Sequence, residues 1–212
     1  EYRGHTSRVC AITELPGDHF ASGGWDRTIR IWDLVSGAHL AVLRGHTRGV
    51  FGLALLGNDT LVSCSWDETL RVWDAATGAC THTIETPERF ASLLPLAGGL
   101  GVASGHLDGV VRLWDVAAEL PLVAELPGHT NGYDMCGLAQ LPDGRLASAS
   151  YDMTLRIWDL PRRACVAVIT APDRLYQCCV TADGRLAVGC GDGAAYVYGG
   201  WAWGRREAAV AG

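Results

Sequence analysis

The chain has no Cys-x-x-Cys spacing, no long run of basic residues, no apolar stretch approaching a membrane span, and no basic start followed by an apolar segment. Each absence removes a class. Without ligand spacing, zinc and disulfide frameworks have no support. The eight cysteines, Cys10, Cys64, Cys80, Cys136, Cys165, Cys178, Cys179 and Cys190, sit mostly in apolar runs, where small buried hydrophobes are expected. The vicinal pair Cys178-Cys179 reads as part of a core strand. A formal charge of −6 with no basic run argues against a nucleic-acid partner, because such binding is mainly electrostatic. No membrane association, metal or cofactor is expected, and the chain reads as intracellular, cytoplasmic or nuclear. It begins with Glu1 rather than Met, which suggests a piece of something longer.

What is present is a repeat. Trp-Asp pairs stand at Trp32-Asp33, Trp73-Asp74, Trp114-Asp115 and Trp158-Asp159, at intervals of 41, 41 and 44 residues, and a fifth, decayed copy ends at Tyr198-Gly199. Gly-His-Thr precedes three of them, at Gly4, Gly45 and Gly128; the third and fifth copies carry Pro87 and Ala171 at the matching places. Within a copy, short β-favouring runs such as "VCAITEL", "HFASGG", "TIRIWDL" and "HLAVLRG" alternate with turn signals such as "PGD", "WDR" and "SGA". This predicts four antiparallel strands per copy, with Ile29 and Ile31 on one face, and no helical periodicity. A unit of about 41 residues cannot bury both faces of its sheet alone, so neighbouring units must stack.

These motifs resemble the WD-repeat family of β-propellers over residues 4 to 200, nearly the whole chain. The resemblance implies an all-β fold, a β-propeller of four-stranded antiparallel blades with five repeats here. Either Glu1-Tyr2-Arg3 supplies the outer strand of the last blade and closes a five-bladed ring, or the chain is part of a larger, usually seven-bladed, ring. The domain is expected over 1–200, followed by a frayed tail, 201–212, in which Trp201 and Trp203 alternate as a strand would.

In that family a Trp, a Ser or Thr, the His of Gly-His and a turn Asp form a hydrogen-bonded chain. The matching sets are His5, Ser22, Asp26 and Trp32; His46, Ser63, Asp67 and Trp73; and His129, Ser148, Asp152 and Trp158. The third copy keeps Ser104, Asp108 and Trp114 without that His, and the fifth keeps only Asp192. Ser, His and Asp together also suggest nucleophilic catalysis, but threefold repetition beside an indole favours a structural role, and no enzyme is expected. The strand arginines Arg30, Arg71, Arg112 and Arg156 read as solvated or laterally paired.

A rigid, inert frame leaves function to loops and rims. The resemblance implies docking on the top face, through first-strand entry positions and the residue before the turn Asp. The candidate partner-binding residues are Arg8, Trp25, Phe51, Trp66, Phe90, Tyr151, Arg174 and Tyr176; Asp134 and Cys136 occupy the corresponding places in the longer fourth copy. The expected function is a non-catalytic scaffold for a protein or peptide, within a possible multiprotein complex. The phrasing "GHT", "SGGWDRTIRIWD" and "TGAC" is also similar to F-box WD-repeat receptors of ubiquitin ligases, which would make Arg8 and Arg174 candidate readers of a phosphorylated peptide. The Trp-Asp-x-Arg box of another receptor class is absent, with Val35, Ala76, Ala117 and Pro161 in its place.

Overall fold

The computed structural model describes residues 1–57, 59–99, 101–118, 121–130 and 137–199. The expected tail 201–212, Asp134 and Cys136 lie outside them. Nineteen strands are described in these residues, arranged as five antiparallel sheets in chain order. The first sheet is β1 (Val9–Leu15), β2 (His19–Gly24), β3 (Thr28–Asp33) and β4 (His39–Arg44); the second is β5 (Val50–Leu56), β6 (Thr60–Ser65), β7 (Thr69–Asp74) and β8 (Cys80–Glu85). The third takes in β9 (Phe90–Pro95), β10 (Val102–His106), β11 (Val110–Trp114) and β12 (Leu122–Pro127). The fourth is β13 (Gly137–Gln140), β14 (Leu146–Ala149), β15 (Thr154–Asp159) and β16 (Ala164–Thr170). The fifth has three strands, β17 (Leu175–Val180), β18 (Leu186–Cys190) and β19 (Ala195–Tyr198). No described helix is long and apolar enough to cross a membrane.

The chain divides into two compact units. The first, residues 1–95 with 115–121, has a core in which Ala21, Ile29, Val50 and Leu61 are fully buried, and Ile31 joins Ile29 there as the alternation predicts. The second, residues 96–114 and from 122 onward, is centred on Ala147, Ala149, Leu155, Ile157 and Leu186. The possibility that Glu1-Tyr2-Arg3 forms a strand is not met. Those residues have no strand structure, and Tyr2 instead packs edge-on against Phe20 and Trp32 and donates its hydroxyl hydrogen to the Leu34 carbonyl at 3.0 Å.

Two irregularities recur. In β1 and β5 the pairing register shifts across Cys10 and Phe51, and in β17 it shifts between Leu175 and Cys178. Such bulges leave a residue out of the ladder and re-aim its side chain. Opposite each signature tryptophan the outer strand also skips one residue, which leaves Leu40, Val123 and Val166 more than 40% exposed. Cysteine burial follows strand alternation more than the apolar runs suggest. Cys64, Cys178 and Cys190 are buried, whereas Cys80, Cys165 and Cys179 are exposed, and all the described cysteines are free thiols.

Packing within each unit is close enough to demand glycine at particular points. A Cβ on Gly52 would lie 2.7 Å from both the Cys64 sulfur and the Leu93 Cβ, and one on Gly137 would lie 2.6 Å from the Cys178 backbone nitrogen. Gly52→Ala is therefore expected to destabilise the protein by about 1–3 kcal/mol, the usual range for overpacking, measured as a lower urea midpoint. Gly189→Ala is the control: its nearest neighbour would be 3.9 Å away, and its effect is expected to stay within about 0.5 kcal/mol.

Candidate functional site

The braces within each sheet decide what is left free for function. In the second sheet the Trp73 indole N–H donates to Ser63 Oγ at 2.8 Å, Ser63 Oγ lies 2.7 Å from His46 Nε2, and His46 Nδ1 lies 2.9 Å from Asp67 Oδ2. The first sheet repeats this through Trp32, Ser22, His5 and Asp26 at 2.7, 2.8 and 2.9 Å. The fourth repeats it through Trp158, Ser148, His129 and Asp152 at 2.8, 2.7 and 2.9 Å. Proton counting sets the direction. An indole can only donate, so the serine oxygen accepts, and an ionised carboxylate can only accept, so His Nδ1 carries a hydrogen and donates it to the aspartate.

Threonines complete each brace, a contribution the four-residue sets miss. Asp67 accepts from the Thr47 amide at 2.8 Å, the Thr69 amide at 3.1 Å and the Thr69 hydroxyl at 2.7 Å. Thr6 with Thr28, and Thr130 with Thr154, serve Asp26 and Asp152 in the same way. Burial alone would raise these carboxyl pKa values. The hydrogen bonds outweigh it, holding Asp26 down to about 2 and Asp67 and Asp152 well below the usual carboxylate range. The Gly of Gly-His has a steric role: a Cβ on Gly45 would meet Arg71 Nη1 at 2.9 Å and the Trp73 ring at 3.2 Å, and Gly4 and Gly128 face Arg30 and Arg156 likewise. These three arginines are half-buried and laterally paired, Arg30 Nη1 lying 3.4 Å from His39 Nε2 and Arg71 and Arg156 donating Nη1 to the Cys80 and Cys165 sulfurs at 3.7 and 3.9 Å.

The third sheet departs from the expected loss of its histidine. His106, fully buried at the end of β10, places Nε2 2.7 Å from Ser104 Oγ, which accepts from Trp114 Nε1 at 2.7 Å. Asp108, with no Gly-His imidazole to serve, pairs instead with Arg112 at 2.6 Å, and Arg112 also reaches Glu125 at 2.8 Å. Arg112 is laterally paired too, here with a carboxylate. Next to Pro87, the Thr86 amide donates to the Glu68 carbonyl as the Ala171 amide donates to the Met153 carbonyl.

None of the three complete braces can work as a hydrolytic triad. Ser63 and Ser148 are 0% exposed and Ser22 3%, so no substrate reaches their oxygens. Among the described residues no cluster of three or more His, Cys, Asp or Glu could hold a metal ion.

The rim has a different character. In the first, second and fifth sheets the residue before the turn Asp is tied to the entry of the first strand, since the Trp25, Trp66 and Gly191 amides donate to the Arg8, Gly49 and Arg174 carbonyls. The two predicted sets therefore meet at one end of these sheets. In the first unit Trp25, Phe51 and Trp66 come together: Trp25 meets Trp66 edge-on at 5.1 Å and Phe51 at 5.5 Å, while Phe51 stacks on Trp66 at 4.4 Å. The bulge in β5 delivers Phe51 to this cluster. Arg8 lies 6.0 Å from the Trp25 ring centroid. In the second unit Tyr151 and Tyr176 meet edge-on at 5.2 Å, with Arg174 5.7 Å from the Tyr151 ring. Trp25 and Tyr176 are 38% and 44% exposed.

Phe90 is corrected. It is 0% exposed and starts β9 just as the buried Val50 starts β5 and Leu175 starts β17, so it is a core side chain. The rim residue of that copy is Arg89, whose guanidinium lies 6.0 Å from the Trp66 ring, while the Phe90 carbonyl accepts from Trp66 Nε1 at 3.2 Å. The spacing misses Arg89 because the link from β8 to β9 is one residue shorter than that from β4 to β5.

Ser63→Ala leaves the Trp73 N–H and His46 Nε2 without their shared partner, and should cost about 1–3 kcal/mol, read as a lower melting midpoint. The Asp26 brace also has a pH signature. A folded pKa depressed to about 2 supplies stability that is complete above the unfolded value near 3.8 and is lost as pH falls through the folded one. The stability gap between wild type and Asp26→Asn is therefore expected to narrow between about pH 4 and pH 2 in urea titrations at stepped pH.

A family model for the WD domain, G-beta repeat, matches residues 1–33, 37–74 and 120–159, together more than half of the 212 residues. These matches contain the three complete braces, apart from the rewired third sheet and the decayed fifth copy. No curated protein matches the chain. With five antiparallel sheets, an indole–serine–imidazole–carboxylate brace in three of them and this family match, the chain belongs to the WD-repeat family of β-propeller proteins.

Proposed function

We propose that the chain is a non-catalytic protein-interaction module that docks a partner segment on the rim formed by Trp25, Phe51 and Trp66. WD repeats generally mediate protein–protein interaction, and the buried braces leave no chemistry in the interior that a substrate could reach. The observation that carries the site is the aromatic cluster itself. Three large rings from two sheets of one unit converge at an exposed end, one of them placed there by a bulge, with Arg8 and Arg89 over the indoles. Aromatics and arginine with part of their surface in water are the composition of interface centres. The rings touch one another, so the cluster offers a contoured surface rather than a cage that would enclose a ligand. Phosphopeptide reading of the F-box kind would rest on Arg8 and Arg174, and the guanidinium of each already lies over an aromatic ring.

A photo-crosslinking phenylalanine analogue at position 25 is expected to capture a discrete partner in cells, whereas the same group at Val35, 83% exposed and away from the rim, captures none. With that partner purified, Trp25→Ala and Trp66→Ala should each weaken binding by about tenfold or more while the far-ultraviolet circular dichroism spectrum stays that of the folded chain. Equal affinities for wild type and both variants would remove the reading.

A further inference from the structure

Beside Trp25 the first unit has an open groove between the β2–β3 turn and the end of β4, lined by Thr6, Trp25, Arg27 and Arg44 among others. Its carboxylate, Asp26, is spent internally on His5, Thr6 and Thr28. Arg27 and Arg44 are exposed, and neither is in an ion pair among the described residues. Arg8 adds a third guanidinium at the same indole. The groove is thus locally cationic in a chain whose net charge is −6.

The repeat does not require arginine at either place. Arg27 sits at the left-handed turn position with φ 66°, where the other sheets have Glu68, Gly109, Met153 and Gly193 at 64°, 77°, 64° and 88°. A non-glycine residue is uncommon in that region, and Gly109 shows that glycine meets the backbone need. Arg44 ends β4, where β8, β12 and β16 end in Glu85, Pro127 and Thr170. The second sheet carries glutamate at both equivalent positions, and there Glu68 already lies 3.8 Å from Arg89. The first groove is therefore distinct in sign from its repeat neighbour, and Arg27 and Arg44 are in no ion pair among the described residues. All 17 basic residues of the chain are arginine, the side chain whose planar fork matches a carboxylate.

We propose that this groove receives an acidic segment of a partner protein, with Asp or Glu side chains held by Arg27 and Arg44 and an apolar neighbour laid against Trp25. This deepens the docking assignment and rests on it, because Trp25 belongs to both surfaces. Exposed guanidinium–carboxylate pairs are individually modest, so two of them contribute partner choice and association rate more than bulk affinity.

The test uses a phage-displayed random-peptide library selected on the wild-type chain, followed by synthetic copies of the enriched peptides. Enriched sequences are expected to place Asp or Glu close to an apolar anchor. Arg27→Ala and Arg44→Ala should each weaken a selected peptide about fivefold, and the double reversal Arg27→Glu with Arg44→Glu should abolish binding at an unchanged melting midpoint. Raising salt from about 0.05 to about 0.5 M should weaken the wild type far more than the double alanine variant. Peptides that lose affinity with Trp25→Ala and Trp66→Ala but are indifferent to both arginines would overturn the acidic-groove proposal alone. Peptides indifferent to both tryptophans would overturn the docking assignment, and a library that yields no binder would overturn both.

Discussion

A buried indole N–H must find an acceptor, and in four of the five sheets it finds one serine oxygen across a strand pair. That requirement propagates. The serine in turn bonds one nitrogen of an imidazole, the imidazole's other nitrogen donates to a carboxylate, and the carboxylate is held by threonine amides and hydroxyls at a tight turn. One donor thus heads a series of groups that ends at the turn. The turn in turn fixes where Trp25, Trp66 and Tyr151 emerge, since each is the residue before the braced aspartate. The rim aromatics are therefore positioned by the hydrogen-bonded series below them.

The third sheet shows that the requirement, rather than the residue list, is what the fold enforces. With no Gly-His at the entry, the imidazole comes from His106 within the second strand, at the place held by Gly24 and Ser65 elsewhere. The aspartate freed by this change takes Arg112, and Arg112 is drawn from half-burial into full burial between two carboxylates. Each displaced group finds a partner, so the rewiring leaves the indole satisfied.

Strands, turns and the three complete braces were legible in the sequence because each depends on residues at constant spacing within one copy. The threonines after His and after Asp were equally regular, at Thr6 and Thr28 or Thr47 and Thr69, and could have been included on spacing alone. His106 could not. Its role arises from a loss elsewhere in the copy, and no interval encodes a compensation. The slip from Arg89 to Phe90 has a geometric cause: the link before β9 is a residue shorter, yet the Trp-to-Trp interval remains 41 because a later link is longer. Exposure of Cys80 and Cys165 was hidden too, because outer strands share the apolar composition of inner ones while having only one neighbour.

The pairing of Arg112 with Asp108 and Glu125 sets the third sheet apart in a second respect. Its neighbours are held by a buried imidazole and a shielded carboxylate, whereas Glu125 keeps about half of its side-chain surface in water, within reach of dissolved ions. Successive modules of the same chain therefore differ in how far salt can reach their ion pairs: the Arg112–Glu125 contact is open to screening, and the sealed pairs beside it are far less so.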